Sequence, residues 1–315
     1  MQGASDPSHS EVRRSGAHGS DAWLIPEPLR PGARVRVVAP SGPFDHTLVW
    51  RGLAALAERY RLEFQRDMFH PRGFLAGDDE RRKGELQRAL DDPRVDAVIA
   101  ARGGYGLSRI APEVDWSSLR RQPKWLVGFS DITVMHLEAS AQRVASLHAH
   151  NCAGLGRAWQ PRHREWFHAL ERSDWDEVHP LRALTAGDAE GTLCGGNLTL
   201  LSVHSAARRL ALPDPCVLLL EEVSEAPYHI DRMLTALLQS GDLKPVRGVV
   251  LGEFLSCPSG RYGVNAEQVL RERFERLGVP VYAELPVGHG ERNQPLVLGS
   301  WARLHADQLR LTPPA

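Results

Sequence analysis

Strand-like and helix-like segments alternate along almost the whole chain, and the strand-like ones are built around runs of aliphatic residues. "ARVRVVAPSG" (33–42), "VDAVIAARGGYG" (95–106), "KWLVGFSDIT" (124–133), "CVLLLEEV" (216–223) and "VRGVVLGEF" (246–254) are short, β-branched or aliphatic runs. Several of them end in glycine, proline or serine. A strand covered on both faces gives such a run, where a half-solvated strand would alternate polar with apolar. Between these runs, "DHTLVWRGLAALAERY" places Leu48, Leu53, Leu56 and Tyr60 at helical spacing, and "DDERRKGELQRALDD" opens with the acids a helix N-terminus prefers. "YHIDRMLTALLQSG" sets Ile230, Met233, Leu234, Leu237 and Leu238 on one face with Gly241 as C-cap, and Asn265 suits the N-cap of "NAEQVLRERFERLG". The alternation predicts an α/β fold built on parallel sheet.

At 315 residues the chain is long for one core, so two domains are expected. Residues 1–20 are polar, rich in small residues and without an apolar signal-peptide core; they read as a disordered tail. Residues 21–155 form the first α/β unit, ending in the short strand of "VASLHAHN". From 156 to 188 the pattern lapses, with Trp159, Trp166 and Trp175 scattered among charges, and this reads as a connector or helical linker. Residues 189–315 form a second unit. There "GTLCGGNLTLLSVHSAARRL" reads as a glycine turn entering a helix, and "PLVLGSWARLHADQLRLTP" as a closing hairpin.

A net charge of -1 gives no electrostatic footprint for nucleic acid, and no apolar run reaches the ~20 residues of a membrane helix. Cys152, Cys194, Cys216 and Cys257 are scattered without a CxxC pair, which suits reduced thiols in a cytoplasmic protein.

In open α/β sheets the chemistry sits in loops beyond the carboxyl ends of strands. Ser130, in "GFSD", stands where an apolar strand becomes a helix. It could cap that helix, or it could be a nucleophile lifted onto a tight turn. Ile132 replaces the glycine that a G-x-S-x-G elbow carries at plus two. A serine nucleophile needs a base, and the base needs an orienting acid. His289 lies between two glycines at a strand end, and Glu221 ends the run "VLLLE"; each also has an incidental or salt-bridge reading. "ARGGYG" is neither a P-loop nor a dinucleotide fingerprint; its N–H groups could hold an anion, with Arg102 available to a carboxylate. His148 and His150 alternate as a metal pair would, but no third ligand is suggested by spacing.

Taken in order, "VVAPSG", "ARGGYG", "VGFSDIT", "GGNLTLL", "LLLEEVSEAPYHIDRML" and "LPVGHG" resemble the LD-carboxypeptidase family of serine peptidases, from about Val35 to Leu311. The resemblance implies a Rossmann/flavodoxin-like N-terminal α/β domain and a smaller β-rich α/β C-terminal domain, with the active site at their interface. It implies a triad of Ser130, Glu221 and His289, with Glu222 adjacent to the chosen acid. It also implies oxyanion donors at the N–H groups of Asp131 and Gly104. Arg102 and Tyr105, on the glycine loop, are expected substrate contacts. No metal or cofactor is implied. The expected substrate is a murein-derived tetrapeptide losing its terminal D-alanine, cleaved by a cytoplasmic homodimer with no nucleic-acid or membrane partner. A microcin-like peptidyl-nucleotide is the alternative substrate, and a non-catalytic anion-binding module the alternative function. One departure stands out: Ala149-His150 occupies the place where the family commonly carries Gly-Pro.

Overall fold

A computed structural model describes residues 22–158 and 160–314, so the expected tail and Trp159 lie outside the described residues. The strands are β1 (Arg34–Val38), β2 (Arg61–Phe64), β3 (Ala97–Ala100), β4 (Trp125–Gly128), β5 (Ser146–His148), β6 (Glu177–Pro180), β7 (Arg182–Thr185), β8 (Ala189–Asn197), β9 (Cys216–Val223), β10 (Val246–Leu255), β11 (Val281–Ala283), β12 (Leu296–Leu298), β13 (Trp301–His305) and β14 (Gln308–Thr312). They form two sheets, ordered β12-β5-β4-β3-β1-β2 and β6-β14-β13-β8-β9-β10-β11-β7.

In the first sheet β5, β4, β3, β1 and β2 are all parallel. Val37, Ile99, Val127 and Leu147 run side by side in register. The chain winds from β1 out to β2, then returns to β3 on the other side of β1. The crevice between the ends of β1 and β3 is therefore the switch point, where parallel sheets open a binding cleft. In the second sheet β8, β9, β10 and β11 are parallel and the outer strands antiparallel.

Alternation along the buried strands assigns their two faces. Val35, Val37, Ile99, Trp125 and Val127 face one way, and their neighbours Val38, Val98, Ala100 and Leu126 pack with Leu86, Leu107 and Met135 of helices on the other. The first of these clusters also contains Val217, Leu219 and Val250 from the second sheet, whereas Leu218, Leu220, Val249 and Leu251 face an outer helical layer. The two units thus share a continuous core. Each fully buried aliphatic side chain in it contributes roughly 1.5–3 kcal/mol.

Three segments differ from the sequence reading. Residues 156–188, read as a connector or helical linker, do hold a helix, Gln160–Glu171, but also the edge strands β6 and β7. These strands are four residues long and half-solvated, too short to show a period. Trp166 and Trp175 are buried in the common core, where the Trp175 indole N–H donates to Ser300 Oγ at 2.9 Å. The "GTLCGGN" stretch is strand β8, not a glycine turn. Its glycines answer close backbone approach: a Cβ on Gly195 would lie 2.1 Å from the Leu219 carbonyl oxygen, at φ +134°. "PLVLGSWARLHADQLRLTP" is only partly a hairpin. β13 and β14 pair with each other, but β12 crosses to the first sheet and pairs antiparallel with β5.

The Gly195→Ala variant therefore has to part β8 from β9. It is expected to lose about 2–4 kcal/mol of stability, read as a lowered urea midpoint.

Candidate active site

The site lies where β1, β3, β4, β9 and β10 end. Ser130 follows β4 and adopts φ +68°, a left-handed conformation rarely taken by a non-glycine residue. Such a residue costs of order 1–3 kcal/mol unless its surroundings fix it, and it recurs at functional turns. Phe129 before it is extended, and a short 3-10 turn, Ser130–Ile132, leads into the helix Thr133–Ala141. The serine is therefore raised on a strand-to-helix turn and is not the helix N-cap. Gly103 backs directly against it: a Cβ there would sit 2.9 Å from Ser130 Cβ. Gly104, at φ +105°, continues that loop, and the Gly42 N–H donates to the Gly103 carbonyl at 3.2 Å.

Two buried charged groups hold these loops. The Asp131 carboxylate accepts from the Leu107 N–H at 2.9 Å, tying the glycine loop to the serine turn. Burial pushes its carboxyl up, and the N–H donors of Leu107 and Gly106 oppose this. Arg82, fully buried, donates to the carbonyls of Pro40 and Gly106 and pairs with Asp79. The guanidinium's rigid fork lets one side chain reach carbonyls in two separate loops.

Glu221 and Glu222 end β9 as neighbours, and the pleat sends them to opposite faces. Glu222 is committed to structure. Its oxygens accept from Asn197 Nδ2, the Val223 N–H, and both the N–H and Oγ1 of Thr199, all at 2.8–2.9 Å. Glu221, with no exposed surface, accepts from His289 Nδ1 at 2.7 Å. The alternative acid at 222 is thus turned away from the histidine. Burial favours a neutral His289 imidazole, but the Glu221 hydrogen bond and charge outweigh it and raise its pKa.

The histidine loop is built around that bond. β10 bulges between Leu251 and Phe254, beside Glu221. The Glu253 N–H donates to the Val287 carbonyl at 2.8 Å, and the Glu253 carboxylate accepts from the Gly290 N–H at 2.6 Å. Asn293 Oδ1 accepts from the Gly288 N–H at 3.0 Å. Gly288 has φ +134°, and a Cβ there would come within 3.1 Å of Glu221 Oε2, so the acid's approach requires glycine. The sequence reading missed Glu253, Asn293 and Arg82. Glu253 carries the signal that marked Glu221, a carboxylate closing an apolar strand.

Ser130, His289, Gly103, Gly104 and Arg102 line one cavity of about 890 Å³. The His289 ring lies against Phe129, centroids 5.1 Å apart. Tyr105 is outside this cavity; half exposed, its ring lies 5.8 Å from that of Phe74. The Arg102 guanidinium donates to the Pro43 carbonyl at 2.6 Å. His148 and His150 flank Phe129, with ring centroids 6.1 and 6.0 Å away. Among the described residues no three His, Cys, Asp or Glu side chains are grouped as a metal site would need. No helix among them is long and apolar enough to cross a membrane.

Residues 35–149 match the model of the LD-carboxypeptidase N-terminal domain, and residues 190–304 that of the LD-carboxypeptidase C-terminal domain. The chain belongs to the LD-carboxypeptidase family. It is accordingly a peptidase of the serine type. A Synechocystis sp. relative is 36% identical over 300 residues, 90% of this chain and 95% of its own length. The murein tetrapeptide carboxypeptidase of Pseudomonas aeruginosa is 33% identical over 249 residues, 75% of this chain and 81% of its own. The crystal structure of muramoyltetrapeptide carboxypeptidase from Oxalobacter formigenes superposes with TM-score 0.79 at 27% identity, covering 89% of this chain and 98% of that one. Microcin C7 self immunity protein MccF superposes at 0.83 with 16% identity, covering 92% and 98%, which is a likeness of fold. This LD-carboxypeptidase fold thus comprises two α/β units, with the second sheet the wider of the two.

The adjacent acids should separate on substitution. Glu221→Gln is expected to lower the His289 imidazole pKa, followed by NMR titration, because the charge that stabilises the imidazolium is gone. Glu222→Gln removes a more distant charge and no hydrogen bond to the ring, so it is expected to lower that pKa less than Glu221→Gln does, and to cost about 1–3 kcal/mol in denaturant unfolding through lost acceptors for Asn197 and Thr199.

Proposed function

We propose that this enzyme hydrolyses the bond between an L-centre, that of diaminopimelate, and the terminal D-alanine of murein-derived tetrapeptides, by Ser130, His289 and Glu221. One observation carries the reading: a buried carboxylate–imidazole pair opens on the same cavity as a serine held at positive φ. Nδ1 of His289 is occupied by Glu221, which leaves Nε2 to take the Ser130 proton. Ser130 Oγ attacks the scissile carbonyl, and the oxyanion is held by the N–H groups of Asp131 and Gly104, each worth ~3 kcal/mol. His289 returns its proton to the departing amine of D-alanine. Water, deprotonated by the same imidazole, then frees the acyl-enzyme. Glu221 stays ionised, orients the ring and stabilises its cation. Arg102, on the glycine loop, is suited to the terminal carboxylate.

The choice of substrate is supported by the relative and the solved structure whose names specify such tetrapeptides. The family resemblance extends the reading to a cytoplasmic homodimer that recycles wall fragments.

Ser130→Ala is expected to lower kcat on a diaminopimelate tetrapeptide at least ~10⁴-fold, with products followed by mass spectrometry. Turnover near wild type would sink the assignment. The free-enzyme base must be neutral to act, and the pKa of His289 is raised. The rising limb of kcat/KM with pH is therefore expected to have its midpoint above 6.5. In Glu221→Gln that limb should move to lower pH while kcat falls roughly 10⁴-fold.

A further inference from the structure

One wall of the cavity carries positive charge and hydrogen-bond capacity that the proposed triad leaves unused. His150 follows β5, and its backbone is fixed by the Trp166 indole N–H, which donates to the His150 carbonyl at 2.9 Å. Its ring lies against Phe129, the residue before Ser130. Both ring nitrogens are shielded from solvent, and neither has a hydrogen-bond partner. The resemblance leads one to expect proline here, a residue with nothing to donate.

Arg157 and Arg162 line the same cavity, from the helices Cys152–Arg157 and Gln160–Glu171. Among the described residues Arg157 has no carboxylate partner, and Arg162 meets only Glu291, at 4.0 Å. Glu291 is 97% exposed, so this pair is weak and readily exchanged. The other acid on the wall, Asp45, is engaged in capping the helix His46–Ala57 through the Leu48 N–H. Burial, and then the charges of Arg162 and Arg157, hold the His150 pKa down at about 4. The imidazole is therefore neutral at physiological pH and can donate one N–H.

Two guanidinium forks with free donors, beside a neutral imidazole, make a receptor for a planar anion. The cavity has the size that accommodates a drug-sized ligand, far more than a departing alanine fills. Arg102 already serves the terminal carboxylate in the mechanism above.

We infer that His150, Arg157 and Arg162 form a subsite for a second carboxylate, carried on the acyl side of the scissile bond by the side chain of the residue that becomes esterified to Ser130. The inference rests on the peptidase reading. It makes the enzyme selective between substrates that differ in that one group.

The test uses two tetrapeptides, identical except that the side-chain carboxylate of the third residue, diaminopimelate, is free in one and amidated in the other. The wild-type enzyme is expected to favour the free acid by about 10-fold or more in kcat/KM, mainly through KM. In the double variant Arg157→Gln/Arg162→Gln that ratio should fall to within about 2-fold of unity, and Arg162→Lys should retain part of it. A wild-type ratio near unity, or an unaltered ratio in the double variant, overturns the subsite alone. If both peptides stay intact and a fluorophosphonate leaves Ser130 unlabelled, the peptidase reading fails and the subsite with it.

Discussion

The hydrogen bond between Glu221 and His289 joins residues 68 positions apart and sets a fully buried acid behind a base that opens on the cavity. A carboxylate without solvent must be partnered, and His289 Nδ1 is the partner its Oε2 has. The pleat turns Glu222 the other way, into the start of the helix Leu198–Ala206. The bulge in β10 makes room for the histidine loop. Glycines at 252 and 288 remove side chains that would otherwise separate acid from base: a Cβ on Gly252 would lie 2.4 Å from the Val287 carbonyl oxygen. Without the bond, these features would have no common purpose.

The serine side is built by a different device. Ser130 holds an unfavourable φ because its neighbours leave no alternative. Gly103 presses on it from the loop after β3, while Asp131 is drawn inward to the N–H of Leu107. Contact between the units continues one turn along the helix, where Thr133 Oγ1 accepts from the Asn197 N–H at 3.0 Å. Gly196 beside it has no room for a Cβ, which would lie 2.6 Å from the same oxygen.

The parts of the fold that were legible in the sequence were those with a strong period. β3 and β4 are apolar throughout, β9 and β10 carry long aliphatic stretches, β1 is rich in valine, and the helix Pro227–Ser240 is plainly amphipathic, closing on Gly241 in the left-handed conformation. β6 and β7 could not be read, since four half-solvated residues carry no period. β8 was disguised by Gly195 and Gly196, whose function is close approach and not turning. For the site, strand-end position singled out Ser130, Glu221 and His289, and the structure brings the last two into contact and opens all but the buried acid onto one cavity. The supporting groups were harder to see. Arg82 sits in a helix that reads as a charged surface segment, and only the packing shows that its guanidinium is buried between two loops. Tyr105 was singled out by its place in a glycine loop, but a loop residue's neighbours do not reveal which way its ring will turn.

The path of the chain after His289 ties the base to both sheets. The loop bearing this histidine leaves β11 in the second sheet and is anchored next by β12 in the first. The base is thus suspended between both sheets, whereas the serine turn hangs from the first sheet alone. The distance between nucleophile and base is therefore set by how the two sheets are seated on each other, and any slippage at the β5–β12 seam reaches the imidazole.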